Sequence, residues 1–221
     1  MKKNVMLCLL GLCSGLMAHA QFQKLQVVEV ENKGAVPGKT YRVYAVLSNE
    51  RDIIDAVFGD AESELRVEST TSFYQDPEGA DISRELQRNR VQASKTLPYD
   101  SWVTIGYADN YMNQMMALSG DTQMQTQGSM FDNFSSGGAI VTTNGAWFAT
   151  PDQRQTLAGP EKRVLLMQLT SDGDIIGNLN LHGRYLLGTE TVKTQTQPIR
   201  DSTVYKYKEL MVRNVALEIR N

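Results

Sequence analysis

RVLLMQLTSDGDIIGNLNLHG, residues 163–183, decides the fold class. Two apolar runs flank Asp172-Gly173, a dipeptide suited to tight turns. Alternation puts Leu165, Met167 and Leu169 on the same face as Leu179 and Leu181, so the stretch reads as an antiparallel hairpin with one buried face. Similar runs lie upstream. TYRVYAVLS (40–48) is apolar on both faces and suits a central strand, while LQVVEVE (25–31), IIDAVFGD (53–60), ELRVEST (64–70) and DSWVTIG (100–106) supply further strands. AIVTTNGAWFATPD (139–152) reads either as a hairpin around Asn144-Gly145 or as a bend leading into Trp147-Phe148. Residues 81–90 read as a loop with a helical turn, and residues 209–219 fit a helix or a strand equally. Roughly seven to ten short strands separated by turn signals predict an all-β chain, an antiparallel β-sandwich of jelly-roll or Ig-like kind. The alternative is a closed or partly open β-barrel.

The chain opens MKKNVMLCLLGLCSGLMAHA: a basic start, a short apolar run and a small-residue Ala18-His19-Ala20 end. This is the layout of a signal peptide over residues 1–20. Its removal takes both cysteines, Cys8 and Cys13, and leaves a secreted, cysteine-free chain held by its core alone. The expected location is the periplasm, the extracellular space or the cell surface. No later stretch reaches the roughly 20 apolar residues of a membrane span. The whole sequence carries 22 Lys and Arg against 25 Asp and Glu, a net charge of −3, and loses Lys2 and Lys3 with the leader. An acidic chain without a basic run is not expected to bind nucleic acid. The expected organisation is a β-sandwich domain over 21–183, with a C-terminal extension over 184–221 packing on it or completing it.

Several stretches occur in an order that resembles a known group. They are YRVYAV (41–46), IDAVFGD (54–60), FYQDPEGAD (73–81), LPYDSWVTIG (97–106), GAWFATPD (145–152), LAGPEKRVLLMQLTSDG (157–173) and GNLNL (177–181). The set resembles an uncharacterised exported β-rich domain found, often in tandem, in secreted bacterial and algal proteins. The resemblance implies a domain boundary and a secreted setting, and it implies no activity. The methionine- and glutamine-rich stretch and the C-terminal tail depart from the usual pattern.

Few residues point to chemistry. Trp102 reads first as a core residue; the sharper reading groups it with Tyr99 and Trp147 as a ligand-stacking platform. Asp100-Ser101 lacks the G-x-S-x-G elbow that would expose a nucleophile. After the leader, His182 is the lone histidine, which excludes a structural zinc site; no catalytic residue, enzyme activity or cofactor is expected. Calcium is the one candidate metal, with Asp132, Asp172 and Asp174 as loop ligands. Residues 107–139 carry Met112, Met115, Met116, Met124 and Met130 without period, and read as a long, partly exposed contact loop. Together these features point to a non-catalytic structural or interaction domain that binds a protein partner or self-associates. A carbohydrate-binding module taking a polysaccharide, with or without calcium, is the alternative.

Overall fold

The computed structural model describes residues 21–120, 129–193 and 201–221. The expected leader with Cys8 and Cys13, and Met124, lie outside the described residues. The strands are β1 (Phe22–Val30), β2 (Lys39–Leu47), β3 (Ile53–Gly59), β4 (Leu65–Ser69), β5 (Trp102–Val103) and β6 (Met116–Ser119). They continue as β7 (Ile140–Thr142), β8 (Gly145–Phe148), β9 (Arg163–Ser171), β10 (Ile175–Lys193) and β11 (Asp201–Ile219). A short helix, α1 (Arg88–Ala93), lies between β4 and β5. Two antiparallel sheets pack together as a β-sandwich and do not close into a barrel.

The first sheet runs β1-β2-β9-β5. In β2 the alternation is plain: Tyr41, Val43, Ala45 and Leu47 point into the core, while Arg42 and Tyr44 face outward, half-buried. The second sheet runs β6-β8-β3-β10-β4-β7, with β11 along the other edge of β10. β3 and β4 take successive stretches of β10, with Phe58 opposite Asn180 and Arg66 opposite Asn178. They are one strand interrupted by residues 60–64. β8 and β7 do the same beside them, Gly145 opposite Gly59 and Thr142 opposite Leu65. Asn144-Gly145 therefore bends a single interrupted strand and closes no hairpin, because the edges of β7 and β8 belong to β4 and β3. Side chains satisfy the broken ladder. Asn180 Nδ2 donates to the carbonyls of Phe58 and Ser63, both at 2.9 Å, and its Oδ1 accepts from the Asn214 backbone N–H at 3.0 Å.

Two further expectations need correction. Residues 163–183 do not form a hairpin: β9 belongs to the first sheet and β10 to the second, so the chain crosses between layers at Asp172-Gly173. Both strands have their edges taken, β9 by β2 and β5, β10 by β11 and the β3–β4 strand. Nor is 107–139 simply a contact loop. β6 pairs with β8, Met115 and Phe134 are fully buried, and Met130 and Phe131 lie in the same core. Phe134 meets Phe73 edge-on at 5.5 Å. Of its described large apolar residues, Tyr111, Met112, Met116 and Leu118 are exposed. The segment lacks a period because it enters the core through short turns. Residues 209–219 are strand, in β11, and the boundary expected at Gly183 falls inside β10.

The core has two compartments. Trp147, Phe134, Leu166, Met167, Ile54 and Leu181 fill the space between the sheets. On the outer face of the first sheet, Leu86, Leu97, Trp102 and Leu165 form a second, smaller cluster. It exists because residues 76–110, including α1, fold as a flap over β9, with Trp102 opposite Gln168. That flap explains why β9 is buried on both faces.

Candidate functional site

The flap leaves a groove of about 640 Å³ beside it, on the outer face of the first sheet. Four arginines line it: Arg42 from β2, Arg88 at the start of α1, Arg154 from the turn before β9, and Arg163 at the start of β9. Tyr44, Tyr107 and Tyr111 line it with them. For a chain of net charge −3 this is a local reversal of sign.

Each part is placed by a local cause. Arg42 and Tyr44 lie on the outward face of β2 because Tyr41 and Val43 take the core. The loop carrying Tyr107 and Tyr111 is fixed from below by a buried polar cluster. Asn113 Nδ2 donates to Ser83 Oγ at 2.8 Å, Gln155 Nε2 donates to the Ile105 carbonyl at 2.8 Å, and the Gln114 N–H donates to Gln155 Oε1 at 2.9 Å. Gly106 begins the loop with φ +84°, and a Cβ there would lie 2.0 Å from the Gln155 carbonyl oxygen. Only glycine fits.

The arginines differ in what holds them. Arg88 Nε donates to Asp109 at 2.8 Å, and this contact holds the guanidinium more firmly protonated; Arg88 also stacks 4.2 Å from the Tyr111 ring. Arg163 pairs with Glu161, donates to Gln26 Oε1 at 3.2 Å, and lies 4.2 Å over the Tyr44 ring. Arg42 Nε donates to the neutral Gln168 Oε1 at 2.9 Å. Gln168 is fully buried, with its amide donating to the Pro98 and Asp100 carbonyls at 2.9 and 2.8 Å, so its oxygen is turned to Arg42 by necessity. The Arg154 side chain is exposed and makes no hydrogen bond or ion pair with the described residues.

The flap is anchored by Asp100. Its carboxylate accepts the Asp76 and Ala80 backbone N–H groups at 2.8 and 2.9 Å, pinning the DPEGA turn. A Cβ on Gly79 would lie 2.3 Å from Asp100 Oδ2, which makes glycine necessary at that approach. Burial pushes the Asp100 carboxyl up to about 7, against the pull of its backbone donors and with help from the nearby Asp76.

The residues singled out from the sequence fall elsewhere. Trp102 and Trp147 are both buried, 2% and 0% exposed, and in different compartments. Trp147 Nε1 donates to the Thr104 carbonyl at 3.1 Å. Tyr99 is half-buried, and its carbonyl accepts from Thr170 Oγ1 at 2.6 Å. No stacking platform forms from these three side chains. Asp132 is exposed, Asp172 accepts from Thr71 Oγ1 at 2.5 Å, and Asp174 accepts the Asn221 N–H and an Arg220 donor at 2.9 and 3.1 Å. Those contacts hold the Asp174 carboxyl below its usual range. Among the described residues no three His, Cys, Asp or Glu side chains come together as metal ligands. His182 Nδ1 lies 2.5 Å from Asp55 Oδ1 and its Nε2 3.2 Å from Glu209 Oε1, so both nitrogens tie β3 and β11 across β10.

The groove residues are spread over more than a hundred positions and share no motif. Compared with known proteins, the chain matches no family model, no curated protein and no solved structure.

Proposed function

We propose that this chain is a secreted, non-catalytic interaction domain that engages a protein partner through the arginine–tyrosine groove. The observation that carries the reading is the concentration of four guanidinium groups in one groove of an acidic chain. Two of them, Arg42 and Arg154, have no carboxylate partner among the described residues. The surplus of positive charge in the groove gives steering and register to an incoming anionic surface. The leader-like N-terminus and the resemblance to an exported domain support the secreted setting. With both tryptophans buried, stacking on sugar loses its expected platform.

Site-specific photocrosslinking in the native host tests the reading. A crosslinker at Met112, which lines the groove and is 65% exposed, should form a discrete protein adduct. One at Ile176, exposed on the second sheet, should not. Adducts at Ile176 alone would move the interaction to the opposite face.

A further inference from the structure

We infer that the groove reads spaced carboxylates on an extended acidic peptide, with Arg42 and Arg154 as the reading residues. The inference rests on the proposed interaction role and names the chemistry of the partner.

Charge pairing divides the arginines into two kinds. Arg88 and Arg163 are neutralised within the groove by Asp109 and Glu161. Among the described residues Arg42 spends only Nε, on a neutral amide, and its terminal Nη pair is left as a fork that matches a carboxylate bidentately. Buried Gln168 cannot turn away without losing its own two bonds, so the Arg42 fork is set before any ligand arrives. Arg154 offers a second, less constrained cation in the same groove.

The same geometry disfavours other anions. Sugar recognition uses open aromatic faces, yet the Tyr44 and Tyr111 rings each carry a guanidinium at 4.2 Å. Dense polyanions, such as a uronate polymer or a nucleic acid, would bring charges against Asp109 and Glu161, which line the groove beside the free cations. A peptide with acidic residues set apart by neutral ones meets the two cations and avoids the two anions.

Fluorescence anisotropy decides the matter with a labelled dodecapeptide alternating Glu and Gly, its Gln–Gly counterpart, and polygalacturonate as competitor. The Glu peptide should bind about tenfold or more tightly than the Gln peptide, the scale of one or two charge-assisted hydrogen bonds, and should weaken with salt. Arg42→Gln with Arg154→Gln should remove that advantage while the protein stays folded, its melting temperature lowered only by the loss of the Arg42 bond to Gln168. Arg66→Gln, on the second sheet, should leave it intact. Equal binding of the two peptides, binding that survives the double substitution, or polygalacturonate binding more tightly than the Glu peptide would each overturn the inference. Any of these combined with a Met112 adduct would leave the interaction role standing and change only its ligand. Loss of the adduct would remove both.

Discussion

The two tryptophans mark two cores of different kinds. Trp147 sits between the sheets, among side chains from both layers, with its indole N–H tied to Thr104. Trp102, on β5 at the edge of the first sheet, points to that sheet's outer face and packs there with Leu86, Leu97 and Leu165. Both are buried, but the first holds the layers together and the second holds a cover on one layer. The groove is the seam where that cover stops. A structural residue at 102 therefore shapes a binding surface, whereas one at 147 only keeps the sandwich.

The contrast breaks most sharply under truncation. Trp147→Ala should cost about 5 kcal/mol, the upper end for emptying a large aromatic site, and in urea unfolding should shift the whole transition. Trp102→Ala should cost about 3 kcal/mol, the lower end, because a flap collapses more readily than a sandwich. Hydrogen exchange should then quicken across residues 76–110 and spare β10. Uniform exchange in both variants would erase the distinction between the two cores.

Asp100→Asn sharpens the same comparison through pH. The raised carboxyl of Asp100, up to about 7, favours the folded state when protonated. That contribution is fully present below the unfolded value of about 4 and is lost as pH rises through about 7. The variant turns one amide N–H₂ against a backbone donor and should be about 1–2 kcal/mol less stable than the native chain near pH 4. The deficit should shrink toward pH 8. A deficit constant from pH 4 to 8 would show that Asp100 stays ionised throughout. The smallest effect is expected far from both cores. Arg66 bridges Glu64 and Glu68 at 2.8 and 3.0 Å on the solvent-facing side of β4, and Arg66→Ala should change stability by no more than about 0.5 kcal/mol.

Most strands were legible: TYRVYAVLS, apolar on both faces, became a strand flanked on both sides, and ELRVEST buries the residues its period selects. Pairing was less legible. Asp172-Gly173 and Asn144-Gly145 carry strong hairpin chemistry, yet one is a crossing between layers and the other a bend in a broken strand. A turn dipeptide specifies a reversal or bend, and competition for strand edges decides what pairs. The candidate site was illegible for a related reason. Arg42, Arg88, Arg154 and Arg163 come from four separate elements, and no local pattern relates them before the flap docks. Methionine-rich 107–139 misled because its apolar residues enter the core one at a time, from turns, with neither helical nor strand spacing.

β10 has a consequence for how the chain reaches this state. β3, β4 and β11 all bond to it, and its partners in β3 lie over a hundred positions earlier in the chain. The N-terminal strands of the second sheet thus wait, edge open, until the last part of the chain is made. The entropy of closing those long loops falls due before the pairing that offsets it. Refolding should be slow, in milliseconds to seconds or longer as for other non-local β topologies. Until β10 docks, β3 is a bare apolar strand, and the time before docking is when copies of the chain are most prone to stick to one another.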